Sequence, residues 1–268
     1  KLIVLYGKTN KKLAVQLEKD ARSVKKVLVD TIAKNHPPNP GAVTNTQYDS
    51  CINFLDHFNK KIYTLNYDLL LYWVLMHSNS DKSKTSIRCD DGFRHPEEDD
   101  KEPDYVTWEI ENTWNQNISY LHGALHLFDC GSELKKFTWI RTGISLMTQI
   151  KDALDHEMYP LIVAEGTSKQ KKEKLMKSAY LLRGLKSIAS IKGALFTYGF
   201  SMSDNDDHVL RIIIKSKISK LCVSLYGDIN SKENKAIILR ATRIAEARPK
   251  EHPLELIFYD ANTANVWG

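Results

Sequence analysis

Residues 193–227, GALFTYGFSMSDNDDHVLRIIIKSKISKLCVSLYG, decide the fold class. GALFTYG (193–199) and KLCVSLYG (220–227) are short runs of β-branched, aromatic and aliphatic residues closed by glycine, whereas DHVLRIIIKSKI between them has helical spacing. A strand, a helix and a second strand in immediate succession imply parallel pairing, because the helix carries the chain back to the starting edge. Working outward, YPLIVA (159–164) and KLMKSAYLLRGL precede this unit, and NKAIILRATRIAEA and LELIFYD (254–260) follow it. KIYTL (61–65) and NISYL (117–121) are two further strand candidates. The alternation predicts an α/β protein with an open, mostly parallel, Rossmann-like sheet and helices on both faces.

Residues 8–35 place Leu13, Leu17, Val24, Val27, Leu28 and Ile32 on related helical faces and stop at HPPNPG, so a helical segment over 1–60 opens a single 1–268 domain. Residues 78–116 break the rhythm with SNSDKSKTS, the acidic run PEEDDKEPD and the strand-like YVTWEI, and are expected to form an insertion or small subdomain. Trp108, Trp114 and Trp139 lie in or near it, either on a partner surface or in the core. The closing FYDANTANVWG is expected to pack back on the domain, with Asn262 and Asn265 as candidates to reach the strand ends.

A hydrophobic content of 42% supports a sizeable core, and no stretch approaches the roughly 20 apolar residues of a membrane helix. Without a signal-peptide pattern, the expected location is the cytoplasm. Cys51, Cys89, Cys130 and Cys222 are at least 38 residues apart, so no Cys-x-x-Cys pair is present and no metal is expected. The net charge of +5 is mild, and the basic run SKQKKEKLMKS (168–178) reads as a solvated helix face. No aromatic residues interleave its lysines, which argues against nucleic-acid binding.

Open parallel sheets bind ligands beyond the carboxyl ends of their strands, and here those positions are polar. They hold Asn66-Tyr67-Asp68, His122-Gly123, Glu165 to Ser168, Phe200 to Asn205, Gly227-Asp228 and Asp260 to Asn262. Each has a structural reading as well. Asn66 or Asp68 suits a helix N-cap, Ser201, Ser203 and Asp204 suit caps for the helix containing Val209 to Ile214, and Gly166, Gly199 and Gly227 suit turns. A lone histidine such as His122 is more often structural than catalytic.

Spacing removes several motifs. Gly7-Lys8-Thr9 resembles the end of a phosphate-binding loop, but its first glycine position is Leu2. His122 and His126 have zinc-protease spacing, but the general-base position holds Gly123. Gly199-Phe200-Ser201-Met202-Ser203 imitates a nucleophile elbow but ends in Ser203, which leaves a Ser hydrolase with Asp228 or Asp260 and His252 as a minor alternative.

Taken in order, TLNYD (64–68), YLHG (120–123) and YGFSMSDND (198–206) resemble the sirtuin-like NAD-binding family, specifically its bacterial branch of NAD hydrolases used in antiphage defence. The resemblance implies NAD as substrate, nicotinamide and ADP-ribose as products, and a protein partner or oligomer that controls the activity. It implies Asn66, Asp68 and His122 at the scissile bond, and Gly199, Ser201 and Asp204, followed by Gly227 and Asp228, on the cofactor side. The family's Gly-rich phosphate loop follows its first strand, and KLIVLYGKTN offers only Gly7, so that loop is expected upstream of residue 1 if present. The family's deacylases carry four zinc-binding cysteines in their small domain, whereas 78–116 holds only Cys89, which favours a hydrolase over a deacylase. A non-enzymatic module for NAD or an ADP-ribose derivative, which would not depend on His122, stays open, as does an ADP-ribosyltransferase.

Overall fold

The computed structural model describes residues 10–58, 60–80, 87–96, 105–138, 143–163 and 166–268. Gly7, residues 97–104 of the acidic run, Trp139 and Glu165 lie outside them.

Helix α1 (Lys11–Asn35) opens at Asn10, whose side chain accepts from the Leu13 amide at 3.1 Å. It stops ahead of Pro37 and Pro38, which cannot extend a helix. The expected buried stripe is only partly realised. Val24 and Val27 are 55% and 64% exposed, whereas Val29 is buried. Helix α2 (Asn45–Asp56) follows, closed at its start by a capping box of Thr44 and Gln47.

Strand β1 (Ile62–Thr64) leads to α3 (Leu70–Ser80), whose Tyr72, Trp73, Val74 and Leu75 are all buried, as a helix apolar on every side requires. Strands β2 (Phe93–Arg94), β3 (Tyr105–Trp108), β4 (Ile118–Tyr120), β5 (Gly123–Asp129) and β6 (Leu134–Phe137) come next. Then follow α4 (Leu146–Asp155) and β7 (Pro160–Ile162). β1 and β4 pair in parallel, whereas β2-β3-β6-β5-β7 form an antiparallel sheet.

Two expectations change here. YPLIVA does form a strand, but it pairs antiparallel with β5 and leaves the parallel group. The interruption also outruns residues 78–116, since the antiparallel sheet extends to Ile162. Its inner strand β5 was hidden because GALHLF is buried at every position, so the alternation of a half-exposed strand is missing.

In the last third the three strands fall where the sequence reading puts them, but KLMKSAYLLRGL is split between two helices and DHVLRIIIKSKI gives its last two residues to a strand. α5 (Ser168–Leu175) and α6 (Ala179–Ile188) precede β8 (Lys192–Thr197), α7 (Asp207–Lys215), β9 (Lys217–Leu225), α8 (Lys232–Glu246) and β10 (Glu255–Asp260). The three strands form a parallel sheet in the order β10-β9-β8. Arg248 locks the end of α7 to the start of β9 by donating to the carbonyls of Ile214 at 2.8 Å and Ile218 at 2.7 Å, and to that of Ser216. The protein is therefore mixed α/β, with parallel strands in two groups beside an antiparallel sheet. Leu69, Ile118, Leu125, Leu127, Ile150, Leu181, Leu221 and Val223 form one fully buried core across all three. Val266 and Trp267 pack back against it. Among the described residues, no helix is long and apolar enough to cross a membrane.

Candidate active site

The turns after β1 and β4 are stitched together by backbone hydrogen bonds. Leu121 N–H donates to Thr64 O at 2.8 Å, and Leu125 N–H donates to Tyr67 O at 2.8 Å. This lays the Tyr67 ring beside His122, nearly parallel, with centroids 6.4 Å apart. Gly123 then has φ +80°, and a Cβ there would sit 1.7 Å from the Leu161 carbonyl oxygen. Only glycine lets β7 cross this close to the histidine.

The third contribution comes from the turn after β8. Gly199, at φ +64°, donates its N–H to Ser224 Oγ at 3.0 Å, and Met202 sits at φ +52° with its side chain fully buried. A short 3₁₀ turn, Asp204–Asp206, enters α7, whose first turn delivers His208 to His122 with the two Nε2 atoms 3.0 Å apart. Asp206 Oδ1 lies 3.9 Å from His122 Nε2. Helix α5, started by a Thr167–Gln170 capping box, completes the cluster. Lys171 Nζ donates to Asp206 Oδ1 at 2.9 Å, while Ser168 Oγ accepts the His208 N–H at 2.7 Å and lies 3.3 Å from His208 Nδ1.

His122 and His208 are 2% and 3% exposed. Burial, helped by neighbouring His208 and Lys171 and opposed by Asp206, lowers the His122 pKa to about 4. His208 is lowered too, chiefly by burial, against the pull of Asp206. Burial and then the Asp206 charge raise Tyr67 to about 12. Around neutral pH the cluster is thus a pair of uncharged imidazoles next to the ion pair of buried Lys171 and partly buried Asp206.

His122, Asp206 and His208 bring one ligand atom each within 4.8 Å of one another, a spacing one cation can bridge. The Lys171 ammonium already lies against the same Asp206 oxygen, so the cluster carries a cation of its own. His126 does not join it. His126 is fully buried, its ring 5.0 Å from Tyr72 and 5.1 Å from Tyr120, and both its nitrogens lack hydrogen-bond partners among the described residues.

The expected residues divide into two groups. Asn66 is exposed at the mouth of the β1 turn; its amide donates to Thr64 Oγ1 at 3.0 Å, and its carboxamide makes no hydrogen bond among the described residues. Asp68 takes the capping role, accepting from Leu70 N at 2.9 Å at the start of α3. It also borders an open cleft of about 360 Å³, lined in part by Thr31, Asn35 and His36, which does not include His122. Gly199 and Ser201 lie on the loop that leads to Asp206 and His208.

Asp204 instead pairs with Arg240 of α8, and Asp228 Oδ1 accepts from Asn230 N within its own turn. Asn234 Nδ2 holds the carbonyls of Tyr226 and Asp228, at 2.9 and 2.7 Å, around Gly227. No hydrogen bond or ion pair joins Asp204, Gly227 or Asp228 to the histidines among the described residues. Asn262 is likewise held by Asp260 in its own turn. The expected caps also differ: Ser203 donates to Asp206 Oδ2 at 3.4 Å and makes no side-chain cap.

Sequence reasoning placed Ser168 at a strand end and Asp206 within the YGFSMSDND motif without giving either a role, and it missed Lys171 and His208. His208 was legible as a histidine two residues beyond Asp206 at the head of an apolar helix. Lys171 was not, because it looks like every other lysine of a solvated run, yet it is 6% exposed.

Fold and site together define a mixed α/β protein that sets a neutral histidine pair against a partly buried ion pair where three loops meet. The family described as "Domain of unknown function (DUF4917)" matches residues 4–267, and the chain belongs to it. No curated protein and no solved structure matches the chain.

Proposed function

We propose that this crevice hydrolyses the N-glycosidic bond of NAD, releasing nicotinamide and ADP-ribose. One observation carries the reading: TLNYD, YLHG and the YGFSMSDND turn, far apart in sequence, converge on a histidine that is neutral at physiological pH. As nicotinamide departs with the bonding electron pair, positive charge grows on the ribose, and water attacking the anomeric carbon must lose a proton. A neutral imidazole accepts that proton, and the exposed, uncommitted Asn66 carboxamide orients the water or the nicotinamide amide. Tyr67 walls the site with an aromatic face, and Gly199 and Ser201 offer a turn for the ribose and phosphate side.

In this reading, the β1–β4 pair and the β8–β9–β10 group are halves of one open Rossmann-like sheet, with the substrate beyond their carboxyl ends. Depleting NAD harms the cell that makes the protein, so the activity belongs in the cytoplasm under control of a partner or oligomer, as an effector of antiphage defence. The burial of His122 favours a second reading, a module that binds NAD or ADP-ribose without cleaving it.

Chromatographic assay of nicotinamide release separates the two. The hydrolase releases nicotinamide, and Asn66→Ala and His122→Ala each reduce the rate by about a hundredfold. Binding in calorimetry with no release supports the module instead, and neither binding nor release defeats both readings.

A further inference from the structure

A histidine acts as a base only through a nitrogen that bears no proton, so what fixes the tautomer of His122 matters as much as its pKa. Its Nδ1 has no hydrogen-bond partner among the described residues, while its Nε2 faces His208 Nε2 at 3.0 Å. Two neutral imidazoles in that contact share one proton, and one ring donates while the other accepts. The Asp206 carboxylate, 3.9 Å from His122 Nε2, favours the proton on that atom. His208 then accepts at Nε2, carries its own proton on Nδ1, and donates it to Ser168 Oγ at 3.3 Å. The backbone N–H of His208, bound to the same Ser168 oxygen at 2.7 Å, fixes the position of this acceptor.

We propose that His208 is the positioning residue of His122, and that Ser168 and Asp206 hold the pair in the one tautomer that leaves His122 Nδ1 bare for the reaction. This rests on the hydrolase reading. The proton leaving the attacking water bonds to His122 Nδ1 as the water oxygen bonds to the anomeric carbon, and the electrons of the broken C–N bond leave with nicotinamide. His122 becomes an imidazolium whose Nε2–H still donates to His208, and it returns the Nδ1 proton to solvent when ADP-ribose departs. The titratable groups facing His122 are His208 and Asp206 from the turn into α7, Lys171 from α5 and Tyr67 from the β1 turn.

Nitrogen-15 NMR of histidine-labelled protein reads the tautomers directly, with or without activity. The expected spectrum has His122 protonated on Nε2 and His208 on Nδ1; a His122 protonated on Nδ1 overturns the proposal. His208→Leu, which removes the acceptor, is expected to lower kcat for NAD hydrolysis by about tenfold or more. It leaves KM little changed and shifts the pH profile, because His122 loses the neighbour that accepts its Nε2–H. His208→Gln, whose amide oxygen accepts from His122, restores most of the rate. Equal rates and superimposable pH profiles for wild type and His208→Leu overturn the proposal. If the wild type shows the expected tautomers but releases no nicotinamide, the hydrolase reading fails, and the base role falls with it.

Discussion

His122 and His126 flank the start of β5, and both are buried and held neutral, yet they sit in opposite surroundings. His122 meets His208, Asp206, Lys171 and Tyr67 at the edge of the parallel strands. His126, inside the antiparallel sheet, meets aromatic rings, and both its nitrogens are unbonded among the described residues. Its pKa falls through burial, with the Lys136 charge secondary. A lowered histidine pKa therefore does not by itself mark a site. What marks one is company: groups from separate loops that set the protonation state and leave a nitrogen available.

The contrast is tested hardest at Gly123, which stands between the two histidines. Gly123→Ala combines a positive φ with a Cβ overlapping the Leu161 carbonyl oxygen, and is expected to cost about 3 kcal/mol or more. Thermal melting checks this, and a melting temperature within about 2 °C of wild type would show that β7 does not cross there.

Lys171→Met comes next, because it strips a partly buried Asp206 carboxylate of its buried partner and should destabilise by about 2 kcal/mol. Adding Asp206→Leu should recover much of that loss in urea denaturation. A single-variant cost below about 1 kcal/mol would mean that the pair is solvated rather than buried.

Acid sharpens the comparison further. The folded chain refuses a proton on His122 until about pH 4, whereas the unfolded chain accepts it near pH 6.5. Stability is therefore unaffected by this group above about pH 6.5 and falls between there and pH 4, by roughly 3 kcal/mol for His122. His126 and His208 add in the same direction. Melting at pH 7 and pH 5 should show this loss, and His122→Gln should lessen it.

The smallest effect is expected at His126. His126→Leu removes two unbonded nitrogens from an apolar site, so stability at pH 7 should change by less than about 1 kcal/mol or rise. In the hydrolase reading, nicotinamide release should be unaltered. A loss of release would place His126 with the site and dissolve the distinction.

The same contrast explains what the sequence made legible. β8, β9 and β10 were readable because glycine closes two of the strands and helical spacing fills the gaps between them. Asn66 and Tyr67 stood out as polar residues where an apolar strand ends. β5 offered no alternation, since neighbours cover both its faces, and its absence from the reading moved β7 into the wrong sheet. Lys171 is marked only by what lies opposite it. Whether it points to water or to Asp206 depends on α7, which is some distance along the chain. His208 was legible but passed over, because Ser201, Ser203 and Asp204 before it read as helix caps, whereas the neighbouring Asp206 turns to Lys171.

The adjacency of His122 and Gly123 has a use beyond this site. In a survey of every single substitution, scored separately for cellular abundance and for NAD loss, the two neighbouring positions should part company. Changes at Gly123 would deplete the protein itself, while, if the proposed hydrolysis holds, conservative changes at His122 such as His122→Gln would cost far more NAD turnover than abundance. One pair of consecutive letters would thus supply both the folding control and the activity control for the whole survey.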